Sequence, residues 1–80
     1  MEFTVKTKFN IGDVVYIAKH YYDLYACKEP RIITDILFCG NARFMNIRYE
    51  LAYNGSTEIL PETWVFGSYE DCTKWCEEYN

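Results

Sequence analysis

The stretch Lys8–Ala18, KFNIGDVVYIA, decides how the rest of the chain is read. Phe9 and Ile11 are apolar residues two apart, Gly12-Asp13 is turn chemistry, and Val14 to Ala18 is β-branched and aromatic. Gly12 admits backbone angles that other residues resist, and the run behind it has strand propensity. A turn feeding such a strand opens a small β domain.

Outward from that stretch the pattern stays β. His20 to Pro30, HYYDLYACKEP, follows neither the helical nor the strand period and reads as a long loop closed by Pro30. Arg31 to Phe38 is a second strand, with Ile32, Thr34, Ile36 and Phe38 on one face and Ile33 and Leu37 on the other. Cys39 to Ala42 is a turn. Arg43 to Tyr53 alternates as a half-buried strand, with Met45, Ile47, Tyr49 and Leu51 on the apolar side. Asn54-Gly55 is a strong hairpin signal, because both residues tolerate positive φ. Thr57 to Leu60 returns, Pro61 interrupts, and Thr63 to Phe66 is a short last strand. The period then changes. Ser68 caps a helix with Asp71 three residues on, and Cys72, Trp75, Cys76 and Tyr79 form a narrow apolar stripe. Glu77 and Glu78 stand at its end, where the helix dipole disfavours them and fraying is predicted.

Eighty residues make one domain, and about a fifth of them are aromatic, which helps so short a chain to build a core. The first residues carry no apolar leader, and no apolar run approaches the length of a membrane span. The expectation is a cytoplasmic protein in a reducing compartment. Net charge is −4, unevenly placed. Residues 1–48 hold seven Lys/Arg against five Asp/Glu, a balance of +2; residues 49–80 hold one against seven, a balance of −6. The acidic half repels phosphate backbones and suits a basic partner. The same acids also keep an aromatic-rich protein soluble.

The opening stretch resembles the turn and strand that follow the first long loop of SH3-like barrels. Glu58 to Phe66, EILPETWVF, resembles their closing segment, in which Leu60, Pro61, Trp64 and Val65 match a 3₁₀ turn leading into the last strand. The two motifs cover about a quarter of the chain. The resemblance implies a five-stranded antiparallel SH3-like barrel over residues 8–66 with one amphipathic helix over 69–79, a single domain spanning 1–80. Peptide-binding SH3 domains carry an acidic loop before the Gly-Asp segment; only seven residues precede Lys8, which leaves Pro61 and Trp64 as half of such a groove. A barrel followed by VFGSYEDCTKWCEEYN also resembles small proteins of bacteriophages and mobile elements. Acidic proteins of that kind include inhibitors of host and defence enzymes, such as anti-CRISPR proteins. The resemblance implies an accessory or inhibitory protein, in the host-cell cytoplasm if phage-encoded.

No set of residues assembles a catalytic or cofactor role. Cys27, Cys39, Cys72 and Cys76 lack the close-pair spacing of zinc sites and read as core thiols, so no metal is expected. His20 has no orienting partner in the sequence, so no Cys–His catalysis and no enzyme is expected. Tyr21, Tyr22 and Tyr25, with Asp23, are the densest aromatic cluster outside the strands. They read either as a docking loop or as rings folded back to plug the barrel. With Glu70, Asp71, Glu77 and Glu78 they make the candidate protein-binding set, aimed at a basic protein surface. The alternative is a nucleic-acid-associated SH3/KOW-like barrel using Lys19, Lys28, Arg31, Arg43 and Arg48.

Overall fold

A computed structural model describes residues 6–40 and 45–80. Gly12 takes φ 95, and the Asp13 carboxylate accepts from the Asn10 amide at 2.8 Å, which closes the turn. The chain then runs as β1 (Val14–Tyr21), β2 (Asp23–Ala26), β3 (Arg31–Gly40), β4 (Met45–Tyr53) and β5 (Ser56–Pro61). A 3₁₀ turn (Glu62–Trp64) leads to β6 (Val65–Phe66), and α1 (Tyr69–Tyr79) follows. The turn read at Cys39–Ala42 is corrected in its first half, since Cys39 and Gly40 belong to β3 and pair with Asn46 and Met45; Asn41, Ala42 and Arg43 lie outside the described residues.

All pairing is antiparallel, in the order β2-β1-β3-β4-β5, with β6 also on β1. Ala18 faces Ala26 and Val15 faces Arg31, so three residues along β1 meet five along the returning chain. β2 and β3 are thus two parts of one return path, interrupted at Cys27–Pro30. The long loop read over His20–Pro30 is corrected by this: β1 continues to Tyr21, and Asp23–Ala26 is a strand. The reversal is made by Tyr22 at φ 63, a left-handed conformation rare for a bulky residue. Asn54 (φ 51) and Gly55 (φ 83) make the other hairpin turn, with Tyr53 opposite Ser56.

The sheet is not closed into a barrel. β5 pairs with β4, β6 with β1, and no β5–β6 ladder joins the ends among the described residues. Pro61 has no N–H to extend a ladder, and the 3₁₀ turn carries the chain away from β5 before β6 forms. The protein is a mainly β, open antiparallel sheet with one C-terminal helix.

A bulge at Thr34 corrects the faces of β3. Ile33 pairs with Leu51, but the next pair is Asp35 with Glu50. The extra residue lets Ile33 and Ile36 face the same core although they are three apart, an odd spacing that regular alternation forbids. Thr34 Oγ1 donates to the Glu50 side chain at 2.9 Å, so the displaced residue keeps a partner.

β1 divides two cores. Val15 and Ile17 join Cys27, Ile33, Tyr49, Leu51 and Val65 on the inner face, with Phe9, Ile36, Ile47 and Leu60 packed around them. Tyr16 and Ala18 face the other way, where Cys72 and Cys76 of α1 seat with Trp64, Phe66 and Trp75. A strand covered on both faces explains why Val14–Ala18 reads as a near-continuous apolar run. The stripe is centred on the buried Cys72 and Cys76, with Trp75 half-buried beside them.

Both helix ends are held. The Ser68 hydroxyl accepts from the Asp71 amide at 3.1 Å. At the other end the Asn80 side chain acts like a strand neighbour of Leu24: Oδ1 accepts from the Leu24 amide at 2.9 Å and Nδ2 donates to its carbonyl at 2.8 Å. The fraying predicted from Glu77 and Glu78 is corrected by this clamp. Asn80→Ala removes both bonds and is expected to cost about 1–2 kcal/mol. Urea melts measure the cost, and amide exchange should accelerate selectively in Glu77–Tyr79 and at Leu24.

Candidate functional site

Pairing across β1 and β2 sets Tyr21 opposite Asp23 and Lys19 opposite Tyr25, all on the inner-face parity of the hairpin. Beyond the core there is nothing for these side chains to pack on, so they stand in solvent. Tyr21 is 72% exposed and Tyr22 86%, with their rings edge to face at 4.7 Å. Tyr25 is also exposed. The rings do not fold back as a plug. Rigid aromatic side chains on a tight hairpin lose little entropy on burial against another surface.

The acidic residues separate into two groups. Asn80 ties the end of α1 to Leu24, which places Glu77, Glu78 and the exposed Tyr79 beside the hairpin. Glu70 and Asp71 stand at the opposite end of the helix, roughly 10 Å away along its axis at about 1.5 Å per residue. There the Tyr69 ring meets Tyr16 at 6.1 Å. α1 packs on the face of β2 that carries Leu24 and Ala26, so Glu77 and Glu78 lie at the helix end nearest the hairpin while Tyr21 and Asp23 are on its other face, and Glu70 and Asp71 stand at the far end of the helix. Pro61 and Trp64 are likewise parted. Pro61 borders a shallow hollow with Ile47, Arg48 and Glu62, whereas Trp64 lies against Trp75 at 5.8 Å.

The basic residues are dispersed as well. Arg31 is only 5% exposed. Its Nη1 donates to the Glu29 carbonyl at 2.6 Å, its Cζ lies 4.1 Å from the centre of the Tyr53 ring, and its Nε lies 3.6 Å from Glu58. Lys19 reaches the same Glu58 carboxylate at 3.7 Å. Arg48 is at the Pro61 hollow, opposite Leu37 and Pro61 and five residues along β4 from Tyr53, whose ring covers Arg31. Lys28 is exposed and borders a second hollow with Lys19, Tyr25 and Arg31. Glu58 and Tyr53 have roles that charge counting missed. The signal was present, since a two-residue Asn-Gly turn puts Glu58 opposite Leu51 and hence on the inner face.

At the far end of the core, Tyr49 is fully buried. Its hydroxyl donates to Glu62 and accepts from the Phe9 amide at 3.3 Å. The Lys8 amide donates to the same Glu62 oxygen at 3.2 Å. This network pins the segment before β1 to the 3₁₀ turn. Burial, aided by the bond to Glu62, pushes the Tyr49 hydroxyl up to about 12, against a smaller opposing pull from the Phe9 amide.

The three buried thiols are not activated. Burial pushes Cys72 up to about 12, with neighbouring Cys76 adding to the shift, and burial also raises Cys76. Burial raises Cys27 against the partial pull of Arg31 and Lys19. Raised thiols are poor nucleophiles at neutral pH. Among the described residues no group of three or more His, Cys, Asp and Glu side chains is placed to hold a metal, and no helix is long and apolar enough to cross a membrane.

No protein-family model, curated protein or solved structure matches this chain, so the reading of its surface rests on its own residues.

Two outcomes test this geometry. In DTNB titration at pH 8 one thiol, the exposed Cys39, should react fast, while Cys27, Cys72 and Cys76 react only as the protein opens. Two fast thiols would displace α1 from its seat. The Tyr49 hydroxyl keeps its proton in the folded state to about 12, but loses it near 10 when unfolded. The folded state then binds more protons, so stability present below pH 10 falls as pH rises toward 12, by about 2–3 kcal/mol. Tyr49→Phe should flatten that decline in urea melts at stepped pH.

Proposed function

We propose that this protein is a non-enzymatic protein-binding module that engages a basic surface of its partner through the Tyr21–Asp23 hairpin and the adjoining end of α1. The observation that carries this reading is the exposure of Tyr21 and Tyr22 at the tip of the hairpin, with Asp23 beside them and the acidic end of α1 tied to the same hairpin through Asn80 and Leu24. Exposed aromatic rings rimmed by charge are the composition of interface hot spots. The acids would guide approach and the rings would set affinity.

The SH3-like reading is kept as part of this proposal. Its support is the antiparallel meander from β1 to β5, the 3₁₀ turn after Pro61 and the return of β6 to β1. An accessory or inhibitory role of phage or mobile-element type, acting on a host or defence protein, fits the small size and the acidic second half. The nucleic-acid alternative is weakened by the same placements. Two of its cations, Lys19 and Arg31, share one counter-ion inside the sheet, and Arg48 stands at the Pro61 hollow, five residues along β4 from the Tyr53 ring that covers Arg31.

The test is a pull-down from bacterial lysate with and without nuclease, using the wild-type protein and Tyr22→Ser. A protein retained by wild type, insensitive to nuclease and lost with Tyr22→Ser, supports the reading. The substitution should leave the melting curve within about 0.5 kcal/mol, because the side chain touches little. Retention by both variants moves the interface elsewhere. Recovery that disappears on nuclease treatment favours nucleic acid.

A further inference from the structure

The inner face of the sheet continues past the core into an open mouth, where Lys19 and Arg31 share the Glu58 carboxylate. Leu51 ends the apolar row. Beyond it a hollow of about 140 Å³ is bordered by Lys19, Arg31, Tyr53, Ser56 and Glu58. A second hollow, toward Tyr25 and Lys28, shares Lys19 and Arg31 with the first. We propose that this mouth is a binding site for a carboxylate group, held between Lys19 and Arg31. The site is independent of the tyrosine tip.

Four observations carry it. First, Arg31 Nε is buried and has no hydrogen-bond partner among the described residues, its ion-pair partner Glu58 standing at 3.6 Å. A buried charged donor without an acceptor is unfavourable, so the position asks for an oxygen that the chain does not bring close enough. Second, the guanidinium is already oriented. Glu29 holds Nη1 through its carbonyl, and the Tyr53 ring covers the planar face. A pre-oriented donor loses little freedom when a ligand arrives.

Third, the charge count selects the ligand. Lys19 and Arg31 give two positive charges and Glu58 one negative, which leaves +1 at the hollow. A monoanion neutralises it. A phosphate dianion would overshoot and meet the Glu58 carboxylate. Fourth, Glu58 behaves as a loosely held stand-in. It lies 3.6 and 3.7 Å from its two cations, beyond good hydrogen-bond length to either, and its side chain is about a third exposed on the unpaired edge of β5. An incoming carboxylate supplies the close acceptor that Glu58 does not, with Glu58 remaining at the hollow so that the +1 balance there still selects a monoanion. Ser56 and Thr57 also border the hollow.

The experiment is an NMR titration of ¹⁵N-labelled protein, following Arg31 Nε–H and the amides of Lys19 and Ser56–Glu58. Sodium acetate is exchanged for sodium chloride at constant ionic strength. Parallel arms use N-acetylglycine, its amide and phosphate. The expected result is saturable shifts at these positions with acetate and N-acetylglycine and none with the amide. Equal binding of the two acids identifies a free carboxylate as sufficient; tighter binding of N-acetylglycine identifies a chain terminus. Glu58→Gln removes the stand-in and should tighten acetate binding several-fold. Lys19→Ala, at a half-exposed position that leaves Arg31 in place, should weaken it several-fold. The proposal is overturned by shifts that do not saturate, by equal shifts with the amide, by phosphate binding more tightly than acetate, or by Glu58→Gln weakening binding.

Discussion

The pairing of one strand on both edges and the covering of both its faces is the constraint on which everything else depends. β1 hydrogen-bonds to β2 and β3 in one direction of the sheet order and to β6 as well. Its odd-numbered residues enter one core and its even-numbered residues the other. A chain of this length cannot bury much surface in a single layer. Using the two faces of one strand gives it two small cores that share a backbone. The 3₁₀ turn, β6 and α1 are all positioned by reference to that strand, so Val15, Ile17 and Ala18 could not exchange parity without dismantling both cores.

The departures from regular geometry serve the same arrangement. The bulge at Thr34 brings Ile33 and Ile36 to one core, and the interruption at Cys27–Pro30 lets the return of β1 change from β2 to β3. Beyond that interruption the sheet has no core to cover, and its inner-face residues become Lys19, Tyr25 and Tyr21. The exposed tyrosine tip and the charged mouth are therefore consequences of one fact: the hairpin is longer than the core it grows from. The tip is proposed to meet a partner protein and the mouth a carboxylate.

The polar contacts divide by position in the same way. Tyr49 and Glu62 sit where the core is closed, are bonded to each other and to the Phe9 and Lys8 amides, and hold the N-terminal segment down. Arg31 and Glu58 sit where the core is open, and their ion pair is long and incompletely bonded. Buried polar groups that are fully satisfied rigidify a fold, whereas an incompletely satisfied one leaves an unfilled interaction at the surface.

Local chemistry was legible in the residues alone. Gly12-Asp13 and Asn54-Gly55 announced their turns because few other residues accept those backbone angles. The stripe Cys72–Trp75–Cys76 with Ser68 ahead of it announced the C-terminal helix. The Asn-Gly turn even determined the register that puts Glu58 inside. Tertiary structure alone decided the rest. His20–Pro30 has no clean period because the bare face of its hairpin carries Tyr21 and Tyr25 where alternation would put polar residues, while Leu24 and Ala26 face α1. The bulge at Thr34 depends on what Leu51 and Tyr49 require across the sheet. Closure depends on whether β5 finds a second neighbour, and the 3₁₀ turn after Pro61 takes the chain elsewhere. The surface charges Lys19, Arg31 and Glu58 look alike in one dimension; only the fold, by bringing residues twelve and twenty-seven positions apart to one carboxylate, makes them a site.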